Sequence, residues 1–307
     1  MSKTAFVFSG QGAQYPGMGE SLCQSSAAAK RIFDLCDAIR PGTSSQCFTG
    51  TKEELTITSN TQPDMFAVEL AAAAALEEAG IHPDALAGFS VGEIGALACS
   101  GALSVEDSFR LVCRRGELMQ YASDAADTGM VAVVKLPPHQ VEELASRFEQ
   151  VYPVNYNGPA QTVCAGLSAS MEGFKAAVKD AGGRAIPLRV AGAFHSPFMA
   201  SASAGLAEEL KQYTFQPPRC PLYSNVTGMP YEGTDTYAAL LERQVISPVR
   251  WQQIVENLIA QGVDTFIEVG PGNTLTGLIG KIDPGVKCCN VDSAESLQKT
   301  IMEVSHG

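Results

Sequence analysis

The sequence predicts an α/β protein with a mainly parallel main sheet and a small inserted ferredoxin-like subdomain. Two observations predict it. Short apolar runs repeatedly end at Gly or Pro and give way to helical periodicity, and the middle of the chain carries elements in the order β-α-β-β-α-β. TAFVFS (4–9) reads as a buried strand, followed by the glycine-rich loop GQGAQYPGMG (10–19). MFAVELAAAAALEEAG (65–80) reads as an apolar helix, ALAGFS (85–90) as a second strand, and VGEIGALACSGA (91–102) as the helix after it. MVAVVKL (130–136) opens the middle segment, and PPHQVEELASRFE (137–149) is a helix with proline at its start. VYPVNYN (151–157) and QTVCAGL (161–167) are strands joined at Gly158–Pro159; SMEGFKAAVKDAGG (170–183) is a helix stopped by glycines, and RAIPLRV (184–190) a last strand. This sets a small subdomain at 128–193 within a core made of 1–127 and 194–307, with continuation of the main sheet as the alternative. Toward the end, DTFIEVG (264–270) precedes the turn PGN and the helix TLTGLIGKI (274–282), and VKCCNVD (286–292) reads as a further strand.

Composition narrows the function. A net charge of −12 argues against nucleic-acid binding, which needs a basic face. Nine scattered cysteines with no C-x-x-C spacing fit a reducing compartment better than a disulfide framework, and clustered His/Cys spacing for a metal is absent. The apolar run at the N-terminus is too short for a signal-peptide core, and Glu69, Glu77 and Glu78 interrupt the most apolar helix. The expectation is a soluble cytoplasmic protein that binds no metal and no membrane.

GFSVGE (88–93) contains Gly-x-Ser-x-Gly between a predicted strand and a predicted helix, where a nucleophile elbow would be. Gly88 and Gly92 leave room for strained backbone, the helix N-terminus directs N–H groups at a developing oxyanion, and Glu93 suits the helix dipole. An ordinary tight turn stays open as the alternative. A serine nucleophile needs a base, and the chain has four histidines. His82 is fixed in a loop by Pro83, His139 sits in a helix's first turn, and His306 adjoins the terminus. His195, in AGAFHSPFM, is the best remaining base if Ser90 is a nucleophile; a core histidine satisfied by a carbonyl is the alternative. The loop 10–19 lacks the lysine of a P-loop, and Tyr15 breaks G-x-G-x-x-G. Gly10–Gln11–Gly12 either gives one half of an oxyanion hole, with the Val91 N–H as the other, or is a plain turn. Arg115 lies on an apolar-spaced helix beside Arg114, its natural control.

Together, FVFSGQGAQYPGMG, GFSVGEIGALACSGALS, RRGELMQ, VNYNGPAQTVCAG, AFHSPFM, SPVRW and IEVGPGNTL closely resemble the malonyl-CoA:acyl-carrier-protein transacylase family, in the family's order over nearly the whole chain. The resemblance implies an α/β-hydrolase-like core and ping-pong acyl transfer. Ser90 would attack the malonyl thioester with His195 as base, and the phosphopantetheine thiol of an acyl carrier protein would then collect the malonyl group; no cofactor is implied. Gln11 and Val91 match the oxyanion positions, and Arg115 the arginine that pairs with the free malonyl carboxylate. Gln244 matches the residue whose backbone carbonyl orients the histidine, and Asn157 a position lining the site. Phe194 resembles the bulky residue that disfavours an α-methyl substituent. Phe89 departs from the family, which usually has histidine there; transfer is expected to survive, with acyl preference weakened or shifted.

A serine hydrolase on the same core and a non-enzymatic scaffold for carrier proteins are the competing readings. Arg115 favours transfer, because a simple esterase needs no cation facing a second carboxylate. The carrier is expected to be acidic, so a local basic rim, drawn from Lys281, Arg189, Arg184 and Arg243, must offset the like-signed net charges. The protein is expected to act as a monomer.

Overall fold

A computed structural model describes residues 2–188, 190 and 192–305. Its larger sheet is parallel throughout and uses β1 (Lys3–Phe8), β2 (Ala85–Gly88), β7 (Leu222–Tyr223), β8 (Val263–Val269) and β9 (Lys287–Val291), in the order β7-β2-β1-β8-β9. Successive side chains of β1 point to opposite faces: Phe6 and Phe8 enter one core, Ala5 and Val7 another with Trp251, Ile254 and Leu258. Helices therefore cover both faces, which explains why these strands read as continuous apolar runs rather than alternating ones.

The smaller sheet is antiparallel. It uses β3 (Thr128–Val134), β4 (Val151–Gly158), β5 (Gln161–Leu167) and β6 (Arg184–Pro187), in the order β4-β5-β3-β6. With helices Pro138–Ala145 and Ser168–Asp180 between its strands, this is the ferredoxin-like arrangement. Val131, Val133 and Cys164 pack on Val141, Phe174 and Val178 of those helices, while Met130, Ala132, Val163 and Ala165 on the other face join the main core. Val249 couples the two layers: its N–H donates to the Val154 carbonyl and its own carbonyl accepts the Tyr156 N–H, both at 2.9 Å.

Several boundaries fall short of the sequence reading: the strand read over 130–136 ends at Val134, and the helix read over 137–149 ends at Ala145. β2 stops at Gly88, two residues early, because Phe89 and Ser90 leave the strand for a turn. β6 ends at Pro187, although the Leu188 N–H still donates to the Met130 carbonyl at 2.9 Å. Arg189 and His306 lie outside the described residues. Among the described residues no helix is long and apolar enough to cross a membrane.

The long helix Thr58–Glu78 is buried along most of its length and packs against helices Ala27–Ile39 and Val105–Asp124. Its small residues, Ala71 to Ala73 and Ala75, allow that close approach. Glu69 is the exception: it is fully buried, and neither carboxylate oxygen has a hydrogen-bond partner among the described residues. Burial pushes its pKa well above the usual range. Its folded pKa thus exceeds the unfolded one, so its contribution is full below the unfolded value and is lost as pH climbs through the folded one. Glu69→Gln, which cannot ionise, should match the parent near about pH 5 and exceed it in stability by a margin that grows as pH rises toward about 8. Urea denaturation at both pH values checks this; a gap that does not widen with pH would refute an ionisable cost at Glu69.

Candidate active site

The carboxyl ends of β1 and β2 lie side by side, with Phe8 opposite Gly88 and the Phe89 N–H donating to the Phe8 carbonyl at 3.0 Å. The chain must turn sharply there to start helix Gly92–Cys99. Ser90 takes φ 56°, in the left-handed region where an L side chain costs on the order of 1–3 kcal/mol. A Cβ on Gly88 would overlap the backbone of Gly92 and Glu93, and one on Gly92 the carbonyl of Phe8. Asn225 pins the turn from a loop 135 residues away: its Oδ1 accepts the Ser90 N–H at 2.7 Å and its Nδ2 donates to the Gly88 carbonyl at 2.6 Å.

Ser90 Oγ lies 2.7 Å from His195 Nε2, and His195 Nδ1 lies 2.8 Å from the Gln244 backbone carbonyl. A carbonyl only accepts, so Nδ1 carries the proton and Nε2 presents its lone pair to the serine hydroxyl. His195 is 4% exposed and also left-handed, at φ 61°. Burial, followed by the nearby charge of Arg115, pushes its pKa down to about 4, so at neutral pH it is an uncharged base.

Arg115 lies 1% exposed behind this pair. Its Nη2 donates to Gln244 Oε1 at 2.6 Å and to Ser90 Oγ at 3.3 Å, and its Nη1 to Gln62 Oε1 at 2.7 Å. Burial lowers its pKa to about 10, opposed by Glu93, so it stays cationic. Its Nε, on the same edge of the guanidinium as Nη2, has no partner among the described residues. Arg114 instead points outward and pairs with Glu117.

The acyl transferase domain family matches residues 5–303 of this sequence. The chain belongs to that family. It is 38% identical to the malonyl CoA-acyl carrier protein transacylase of Bacillus subtilis (strain 168), over 98% of this chain and 97% of that protein. The structure of malonyl CoA-acyl carrier protein transacylase from Clostridium perfringens superposes with a TM-score of 0.96 at 36% identity, covering 99% of this chain and 98% of the other. A malonyl-transacylase solved in complex with a type II PKS acyl-carrier protein matches with a TM-score of 0.94 at 32% identity, covering 98% of this chain and all of that one (100%). The fold and the acyltransferase class expected from sequence therefore hold.

In this acyltransferase a cleft of about 260 Å³ opens beside Ser90 and His195, lined also by Gln11, Phe89, Phe194 and Asn157. Val91 and Arg115 do not line it; Arg115 reaches it only through Ser90 Oγ. The backbone N–H groups of Gln11 and Val91 have no acceptor among the described residues. Phe89 packs with Trp251, ring centroids 5.6 Å apart, beside the cluster of Leu275 and Leu278, whereas Met119 and Phe194 belong to the other core. The buried Oδ1 of Asn157 has no partner among the described residues. Lys281 borders a groove that shares Asn157, Gln161 and Leu278 with the cleft, and Arg184 and Arg243 are exposed.

Sequence reasoning missed Asn225, Gln62 and Tyr231, and saw Glu93 only as an acid in a first helical turn. None carries a local signal, because each acquires its partner through the tertiary fold. Asn225→Ala frees both ends of the strained turn and should lower stability by about 2 kcal/mol and turnover by about tenfold or more. Denaturation together with steady-state rates checks this, and unchanged turnover would show that the turn holds itself.

Proposed function

We propose that this acyltransferase is a malonyl-CoA:acyl-carrier-protein S-malonyltransferase that works through a malonyl-Ser90 intermediate. The observation that carries the reading is Arg115, buried with Nη2 3.3 Å from Ser90 Oγ and with an Nε that has no acceptor among the described residues. A buried donor without an acceptor calls for an explanation, and a carboxylate that pairs with Nε and takes the place of Ser90 Oγ on Nη2 would meet the planar fork at both points. An acyl group on Ser90 that ends in a carboxylate supplies one.

The chemistry follows from the geometry. As Ser90 Oγ attacks the thioester carbonyl, His195 Nε2 takes its proton. The unpaired N–H groups of Gln11 and Val91 are the donors for the oxyanion, which collapses with cleavage of the C–S bond; CoA thiolate leaves with the proton from His195. In the second half the phosphopantetheine thiol gives its proton to His195 and its sulfur attacks the ester, and Ser90 departs reprotonated. The Gln244 carbonyl holds the imidazole in one tautomer throughout. Phe194, buried at the cleft, disfavours a methyl branch by about 1–3 kcal/mol, a preference rather than a barrier. Phe89 adds an apolar wall on the Trp251 side where a histidine would offer a polar one, and Asn157 Oδ1 offers an acceptor to an amide of the pantetheine arm.

All these groups come from one chain, so the reading needs no second subunit and no cofactor; it is that of a monomeric cytoplasmic enzyme. Lys281, Arg184 and Arg243 are the cations offered to an acidic carrier.

Malonyl-CoA should leave a malonyl adduct on Ser90, visible by intact mass and missing from Ser90→Ala; no adduct on the parent protein defeats the reading. Arg115→Ala should slow malonyl transfer roughly 10–100-fold more than acetyl transfer, the loss of a charge-assisted pair made by only one substrate. Equal losses in steady-state comparison would remove the carboxylate role.

A further inference from the structure

Behind Ser90 lies a second buried charge that the transfer chemistry does not use. Glu93 is fully buried, in the first turn of helix Gly92–Cys99. Three donors converge on it, two from the loop after β7 and one from the end of helix Tyr237–Gln244. The Asn225 N–H lies 3.3 and 3.2 Å from Oε1 and Oε2, the Tyr231 hydroxyl 2.6 Å from Oε1, and Gln244 Nε2 2.6 Å from Oε2. The Asn225 N–H and Gln244 Nε2 can only donate, and the Tyr231 hydroxyl donates here as well, so a carboxylate, which accepts at both oxygens, satisfies the whole set.

We infer that Glu93 is a positioning residue of this site, setting the direction of the Gln244 side-chain amide and through it the place of Arg115. The same Gln244 Nε2 donates to the Ser90 carbonyl at 2.9 Å, so that nitrogen faces two acceptors and the amide has one orientation. Oε1 is thereby turned to Arg115 Nη2 at 2.6 Å, which holds the guanidinium beside Ser90 Oγ. A second route runs through Asn225, whose N–H is fixed by Glu93 while its side chain grips both sides of the Ser90 turn. The charges and titratable groups that face Glu93 are Arg115, from helix Val105–Asp124, and Tyr231. Burial carries the Glu93 pKa up to about 7, opposed by Tyr231, Gln244, Asn225 and Arg115, so the ionised form prevails above neutrality. With a glutamine at this position, the NH₂ would meet either the Tyr231 hydroxyl, which can turn to accept it, or Gln244 Nε2, which cannot. Turned toward Gln244, it would flip that amide and set Nε2 against Arg115, donor to donor.

The inference rests on the malonyl reading for one readout only. Ser90 modification is followed by intact mass at about pH 8, above the Glu93 pKa, with malonyl-CoA, with acetyl-CoA and with phenylmethylsulfonyl fluoride, a neutral reagent that needs only Ser90 and His195. Glu93→Gln should lower the malonyl-to-acetyl rate ratio about tenfold and slow sulfonylation. Gln244→Met keeps the backbone carbonyl on His195 and should produce the same two effects. The double variant should lose no more than Glu93→Gln alone, as expected where Gln244 acts downstream of Glu93. An unchanged ratio and sulfonylation rate in Gln244→Met overturns the inference, even where Glu93→Gln does not fold. Additive losses in the double variant also overturn it. If the parent protein takes no malonyl group, the functional reading fails, and the sulfonylation rates of the three variants still decide the role of Glu93.

Discussion

The cleft depends on how closely backbone can pass backbone at Gly88 and Gly92. Parallel pairing sets the end of β1 beside the end of β2, and the missing side chains let the start of helix Gly92–Cys99 drop onto the Phe8 and Ser9 carbonyls. That contact brings the Gln11 loop and the Ser90 turn to the same carboxyl edge, the place where open parallel sheets put their ligands. It also forces Ser90 into a left-handed conformation, so the turn must be held from outside, by Asn225.

The charge arrangement follows from the choice of a carbonyl to orient the histidine. A carboxylate in place of the Gln244 oxygen would favour imidazolium and raise the base's pKa; a neutral acceptor leaves burial and Arg115 to depress it to about 4. It also leaves Arg115 without a fixed anion in direct contact. Its acceptors among the described residues are the neutral oxygens of Gln62, Gln244 and Ser90, and the influence of opposite sign, Glu93, acts one hydrogen bond removed, through Gln244. A cation held by neutral partners can accept a substrate's charge without first surrendering an ion pair.

The fold was largely legible because Gly and Pro punctuate nearly every element, and because β-α-β-β-α-β is a long ordered pattern. Where the reading overran, at Phe89 and Ser90, apolar character continued past the point where the backbone turned. Ser90 and His195 could be found from sequence because the chain offers one elbow and few histidines. Gln244 and Arg115 were reached only by resemblance, since nothing in their own segments marks them. Asn225, Gln62 and Tyr231 were invisible: each is a polar residue whose partner lies at least 53 residues away, joined to it by topology alone. Glu93 was noticed for its helical position, which is the least of its interactions.

The two hydrogen bonds of Val249 to Val154 and Tyr156 yoke the small sheet to the segment that carries Gln244, five residues upstream. β4 contributes Asn155 and Asn157 to one wall of the cleft, while Gln244 anchors the histidine on which the opposite half depends. A tilt of the small sheet would therefore pull on the imidazole's support as it widened the entrance. The mouth and the base are one mechanical unit, so a carrier protein leaning on the small sheet would be pressing on the proton-transfer geometry as well.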